Sequence, residues 1–173
     1  MFVVVYLVVL LASVFISRTL VYKNVSISEQ LGYYLLIPGA KIRKNDLILL
    51  CVNDNYKHVF NELGLRDVAG QCRNGLPYLL KRIAAVTGDR VEVENAGIKI
   101  NGKLYPNSKQ FAEGRGVKLY PLQLGYSRIL GKEEYFMLGN SLHSVDSRYF
   151  GVVKSSDIHG KVVLVYETQK VDK

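Results

Sequence analysis

No Lys or Arg precedes the N-terminal hydrophobic run of this 173-residue chain, neither cysteine belongs to a ligand-spaced pair, and there is no internal repeat, low-complexity tract or Arg/Lys-rich helix. Each absence narrows what the protein can be. A secretory signal normally has a basic start and a small-residue cleavage site, so a cleaved leader is the weaker reading of the N-terminus. Cys51 and Cys72 stand apart and His58, His143 and His159 are scattered, which argues against a metal site, and no cofactor motif is present. The formal net charge of +8 is spread along the chain, the pattern of a solvated basic surface rather than of a nucleic-acid footprint. Beside a membrane the same charge would help dock to anionic headgroups.

What is present begins with Phe2 to Ser17, FVVVYLVVLLASVFIS, an uncharged apolar run closed by Arg18, with Thr19 to Tyr22 able to extend a helix. This is near the roughly 20 residues needed to cross a bilayer core of about 30 Å. The expected organisation is therefore a transmembrane anchor over residues 1–22 and a domain over residues 23–173. Arg18 and Lys23 lie on the C-terminal side of the run, where the positive-inside tendency would keep the domain cytoplasmic; charge alone does not settle topology. A hydrophobic content of 49% suffices for one compact core and argues against disorder. The two cysteines admit either one disulfide, which in an oxidising compartment stabilises by about 3 kcal/mol, or two buried thiols.

Short β-branched and aromatic runs recur between turn signals: 33–37, 47–52, 78–86, 90–94, 98–100, 117–120, 134–138 and 161–166. That spacing predicts a mainly β domain. Arg90 to Glu94 alternates polar with apolar, Asn95-Ala96-Gly97 can turn, and Ile98-Lys99-Ile100 returns before Asn101-Gly102, a strong tight-turn dipeptide, so this stretch reads as a solvent-facing hairpin meander. Between the cysteines, Val59, Phe60 and Leu63 have helical spacing and Gly64 is placed to stop a helix, which predicts a short helix in an insertion. Residues 108–116 read as an exposed polar loop.

Three segments carry candidate chemistry. Lys81 sits in the apolar run Pro77 to Val86, directly before Thr87-Gly88-Asp89. A lysine between Leu80 and Ile83 either snorkels its ammonium to water or loses its proton, because burying an unpaired cation is too costly. A neutral lysine is a base, and it needs a pKa lowered from about 10.4 toward roughly 7 to 8. Arg82 would point to the opposite, solvated face. Ser26-Ile27-Ser28 follows the hydrophobic run within a few residues, and alternation in an extended segment would put both hydroxyls on one side, one to attack and one to donate to an oxyanion. In Gly139 to Gly151 a strand leads into a polar loop where Asp146 and Arg148 can pair and Ser144 can hydrogen-bond a neighbouring amine. His143, in the same loop, is not preferred as a base. Taken singly, each segment also reads as ordinary structure: a polar linker, a strand-edge lysine, a surface loop.

Together the segments resemble the type I signal peptidases, and within them the conjugative-transfer, TraF-like branch. Lys81 to Asp89, KRIAAVTGD, is similar to the family's lysine box, and Gly139 to Gly151, with Ser144, Asp146-Ser147-Arg148-Tyr149 and Gly151, to its C-terminal box. Ser28-Glu29-Gln30-Leu31-Gly32-Tyr33-Tyr34 resembles the serine box of the conjugative branch, and Cys51 with Cys72 resembles a cysteine pair of that branch. Two departures are Gln30, where the family commonly has proline, and Asn140, where it commonly has aspartate.

The resemblance implies a signal-peptidase-like β domain, a serine endopeptidase with Ser28 as nucleophile, Lys81 as general base, Ser26 as oxyanion donor and Ser144 orienting the lysine amine, with Asp146 and Arg148 structural. It further implies a single-pass protein of the bacterial inner membrane whose domain faces the periplasm, a setting that favours the Cys51–Cys72 bridge. The implied partners are a pilin precursor or another exported protein, membrane lipid and other conjugative transfer components, with no nucleic acid and no cofactor. Conjugative relatives mature pilins, in some systems joining the ends into a ring, so hydrolysis and cyclisation both stand as outcomes. The alternatives are a general leader peptidase and a non-catalytic envelope component of a transfer apparatus.

Overall fold

The computed structural model of the protein describes residues 4–6, 20–64 and 72–168. Most of the expected anchor, residues 1–22, lies outside the described residues. Val4 to Tyr6 are helical, and among the described residues no helix is long and apolar enough to cross a membrane. The far end of that expectation needs correction: Val21 and Tyr22, which could have extended the anchor helix, belong to the first strand, because Val21 pairs with Leu35 and Tyr22 with Tyr34.

The strands in chain order are β1 (Val21–Asn24), β2 (Gly32–Ile37), β3 (Leu47–Leu50), β4 (Leu79–Ala85), β5 (Arg90–Glu94), β6 (Gly97–Ile100), β7 (Lys103–Leu104), β8 (Glu113–Gly114), β9 (Val117–Lys118), β10 (Ser127–Ile129), β11 (Glu134–Leu138), β12 (Val153–Lys154) and β13 (Ile158–Glu167). From β1 onward, the α-helices among the described residues are α1 (Lys57–Glu62) and α2 (Ser147–Phe150). All strand pairings among the described residues are antiparallel. A seven-stranded sheet runs β1-β2-β13-β3-β4-β11-β12, a four-stranded sheet runs β10-β5-β6-β7, and β8 with β9 forms a small ribbon.

The position of β4 explains its composition. It lies between β3 and β11 in the middle of the larger sheet, with Ile48 opposite Lys81 and Met137 opposite Ile83. Side chains alternate across a strand, so a strand covered on both faces needs apolar residues at odd and even positions alike. Accordingly Ile83 joins a core with Ile48, Leu50, Phe60 and Met137, while Ala84 and Ala85 join a second core with Val91, Ile98, Phe136 and Leu138. Each fully buried aliphatic side chain contributes roughly 1.5–3 kcal/mol. A lysine in this strand therefore has little surface to reach.

The second core lies under the four-stranded sheet. Val91 and Val93 point in from β5 while Arg90 and Glu94 stay exposed, and the β6–β7 turn at Asn101-Gly102 is left-handed at both residues (φ 52° and 77°), as the tight-turn dipeptide predicts. The insertion also forms as expected, with a 3-10 turn at Asp54–Tyr56 leading into α1, which buries Val59 and Phe60 and ends at a left-handed Gly64. Cys51 and Cys72 are joined by a disulfide that ties this insertion back to the end of β3. Residues 108–116 are not wholly an exposed loop. Ser108 is buried, its hydroxyl accepting from the Ile98 N–H and donating to the Tyr105 carbonyl, and Glu113 and Gly114 pair as β8 with β9.

Candidate active site

The Lys81 amine donates to Ser28 Oγ over 2.8 Å. Lys81 is 4% exposed, and burial lowers its pKa from 10.5 to about 8. Asp146 and Glu29 oppose that shift by their negative charge, and Arg148 adds to it. Desolvation is the largest cause, as the apolar neighbours of Lys81 in sequence foretell.

Ser28 reaches Lys81 from the loop between β1 and β2. The loop is not the extended segment that alternation suggests; it bends at Ile27 and Ser28. The hydroxyls still converge, with 3.0 Å between Ser26 Oγ and Ser28 Oγ, and the Ser28 N–H points back to Ser26 Oγ at 3.4 Å. The bend is built around Asn24, the last residue of β1 and 2% exposed. Its Oδ1 accepts from the Ser26 N–H at 3.1 Å, and its Nδ2 lies 3.0, 3.3 and 2.8 Å from the carbonyls of Ser26, Glu29 and Gln30. One buried amide thus closes both sides of the serine loop, an asparagine turn of the usual local kind extended across the whole segment. Sequence reasoning gave Asn24 no role, because a polar residue before a polar loop is indistinguishable from linker.

Glu29 is the second residue that sequence reasoning missed. Its side chain is 1% exposed; Oε2 accepts from Arg82 at 3.4 Å and Asn140 Nδ2 at 3.1 Å, while Oε1 is buried with no hydrogen-bond partner. Burial raises its pKa, against the pull of Arg82 and Lys81. Arg82 is accordingly not the solvated member of the Lys-Arg pair. It turns from Lys81 toward Glu29 and the Asn45 carbonyl, with 29% of its side chain exposed.

The loop after β11 closes the site from the other side. The Asn140 N–H donates to the Ser28 carbonyl at 2.9 Å. Gly139 cannot carry a side chain here: a Cβ would stand 2.3 Å from Ser144 Oγ and 3.2 Å from the Ser28 carbonyl. Asp146 and Arg148 form a fully buried ion pair with Nε–Oδ1 at 2.8 Å and Nη2–Oδ2 at 2.9 Å. Asp146 also accepts from the Gly139 N–H at 2.9 Å, and Arg148 Nη1 donates to the carbonyls of Asn107, Lys109 and Leu142. Charge-assisted bonds of this bidentate kind hold both ends of the loop at once. Ser147 adds a bond from the Met137 N–H. Ser144 is buried beside Gly139, but its Oγ makes no hydrogen bond, so the expected contact with the lysine amine is not formed here. His143 is exposed and stacks on Phe111. Among the described residues no cluster of His, Cys, Asp and Glu is arranged for a metal ion.

A buried lysine hydrogen-bonded to a serine in an antiparallel β domain points to the serine peptidases of the signal peptidase kind. The family described as "Signal peptidase, peptidase S26" matches residues 1–167, and the chain belongs to it. It is similar to a plasmid transfer protein TraF of Escherichia coli, 30% identical over 138 residues that cover 78% of this chain and 76% of that one. A second TraF of the same species is 34% identical over 123 residues, covering 69% and 68%. A signal peptidase I of Bacillus caldolyticus is 34% identical over 99 residues, or 50% of this chain and 52% of that one. A crystal structure of a signal peptidase I from Enterococcus faecalis superposes with a TM-score of 0.39 at 19% identity, covering 72% of this chain and 98% of that one.

Proposed function

We propose that the protein is a membrane-anchored serine endopeptidase that matures an exported precursor, a conjugative pilin in the first instance, with Ser28 as nucleophile and Lys81 as general base. The observation that carries this reading is the 2.8 Å contact between a serine hydroxyl and a lysine whose pKa lies near 8. At neutral pH about a tenth of such lysines are neutral, enough to serve as a base and regenerate within a turnover.

In the first half-reaction the neutral Lys81 amine takes the Ser28 proton as Oγ bonds to the scissile carbonyl carbon. The oxygen of that carbonyl becomes an oxyanion, toward which the Ser26 hydroxyl can turn and donate. Collapse breaks the C–N bond, and the Lys81 ammonium returns the proton to the departing amine, leaving an ester on Ser28. In the second half-reaction water or an amine attacks the ester, Lys81 takes its proton, and the proton passes to Ser28 Oγ as the ester C–O bond breaks. Water gives a linear product; the amine of the same chain gives a ring. Ser144 would join this chemistry by turning its unpaired hydroxyl to the lysine amine.

The proposed location is the bacterial inner membrane, with the domain in the periplasm; the disulfide supports an oxidising compartment. Labelling a single introduced surface cysteine in intact cells tests this, and reactivity only from the cytoplasmic side would overturn it. The activity is tested by co-expressing the protein with candidate pilin precursors and weighing the products. Processing should vanish in Ser28→Ala and in Lys81→Ala, and unchanged processing in both would reject the dyad. A product lighter than the linear chain by one water would identify cyclisation. Processing of many unrelated exported proteins would favour a general leader peptidase, and the absence of any processing a non-catalytic envelope component.

A further inference from the structure

Beside Ser28 lies an open cleft of about 530 Å³ whose lining includes Ile27, Glu29, Gln30, Leu31, Asn140 and Glu167. We infer that this cleft is a subsite for a positively charged residue of the substrate, so that the protein selects precursors with Lys or Arg near the scissile bond. The inference rests on the reading of Ser28 as nucleophile.

Two carboxylates meet the cleft from different parts of the fold. Glu29 follows Ser28 in the serine loop, and Glu167 ends β13. Their placement is held by bonds independent of any ligand: Gln30 Nε2 donates to Glu167 Oε1, the Thr168 N–H donates to the Leu31 carbonyl at 3.0 Å, and Asn140 Nδ2 donates to Glu29 Oε2. The cations facing Glu29 are Arg82 and Lys81, and Arg82 engages only Oε2. Oε1 stays buried and unpaired. Buried carboxylate oxygens are rarely left without a donor, so this one points to a partner that arrives with the substrate.

The remaining walls fit the same occupant. Ile27 and Leu31 offer apolar surface to an aliphatic stem, while the carboxylates and the amides of Gln30 and Asn140 offer polar groups to its head. Lys and Arg divide their side chains in this way. The chain as a whole, at a net +8, repels cations. A preference for a cationic residue is therefore a property of this local site and runs against the background field.

The test uses full-length protein in detergent micelles on the Ser28→Ala background, so that binding is read without turnover. The probes are fluorescent, end-blocked, alanine-rich decapeptides bearing one Lys, Gln or Glu, moved position by position. At one or two adjacent positions the Lys peptide should bind about 10-fold more tightly than the Gln peptide and the Glu peptide more weakly than either. That preference should shrink to within about 2-fold in Glu29→Gln and in Glu167→Gln; because Glu167 is exposed, its variant keeps the test intact should Glu29→Gln fail to fold. Equal binding of the three peptides, no binding of any, or a Lys preference that survives both substitutions would overturn the inference. Cleavage by the unmodified protein is scored separately: a Lys preference without any Ser28-dependent cleavage would sink the peptidase reading, and with it selection at a scissile bond, and would leave only cation binding by the cleft.

Discussion

Lys81 and Ser28 are 53 residues apart in the chain and 2.8 Å apart in space, and each arrives from an element whose shape is set by other residues. Lys81 is held by the pairing of β4 with β3 and β11; Ser28 is held by Asn24, which bonds the residues on either side of it, and by the Asn140 N–H, which donates to its carbonyl. A base and a nucleophile supported this way are pre-positioned, which is where most of the advantage of an intramolecular proton transfer arises.

The Lys81 pKa near 8 predicts the pH dependence. Because the neutral amine is the base, kcat/KM should rise with pH and level off above about pH 8. A pH–rate profile on a peptide substrate checks this, and a flat profile between pH 6 and 9 would exclude Lys81 as the base. Removing the Glu29 charge, which raises that pKa, should move the rise to lower pH in Glu29→Gln.

Burying this lysine also costs stability. Its folded pKa is depressed from 10.5 to about 8, so between these values the unfolded chain binds the extra proton, and stability rises with pH across that window. Below about pH 8 the full cost, roughly 3 kcal/mol, is present. Lys81→Met should therefore be inactive yet more stable at pH 7 by about 1–3 kcal/mol, as replacement of a buried charge by an apolar isostere often is. Urea denaturation at pH 7 and pH 10 should show the difference between variant and parent narrowing at the higher pH.

Asn24 is expected to matter for rate more than for substrate binding. Asn24→Ala removes the amide that bonds Ser26, Glu29 and Gln30, and should lower kcat about 10- to 100-fold while costing about 1–3 kcal/mol for the groups left unpaired. Steady-state kinetics and thermal denaturation together separate the two effects; an unchanged kcat would show that the serine loop holds its shape without it.

Ser144→Ala should leave the melting temperature unchanged or slightly raised, since the hydroxyl it removes is buried without a partner. If kcat falls 10-fold or more in this variant and the pH profile shifts, the hydroxyl engages the lysine amine during turnover. By contrast Arg148→Ala, which strands the Asp146 carboxylate in a dry site, should cost about 3–5 kcal/mol.

Reduction of the Cys51–Cys72 bridge closes off a different contribution. Cys51→Ser with Cys72→Ser, or dithiothreitol, should lower stability by about 3 kcal/mol through the freed loop. Because neither cysteine is in the dyad, a matched loss of melting temperature with kcat retained at low temperature is the expected result.

Much of the β architecture was legible because its causes are local. Alternation in Arg90–Glu94, the Asn101-Gly102 turn and the apolar density of β4 come from residue types and short spacings, and those elements formed where expected. The short strands β7, β8, β10 and β12 were not legible, since their residues carry no period and pair only because a neighbour is already in place. The same division runs through the candidate site. By itself the chain determined that Lys81 must be either rescued or neutral, because no lysine is comfortable between Leu80 and Ile83, and that two serines follow the N-terminal run. Only the tertiary structure decided which partner Lys81 meets, that Arg82 turns to Glu29, that Asn24 shapes the serine loop, and that the Ser144 hydroxyl is buried without a hydrogen bond. Those outcomes depend on contacts across tens of residues and on how completely water is excluded, and neither quantity exists until the sheet has closed.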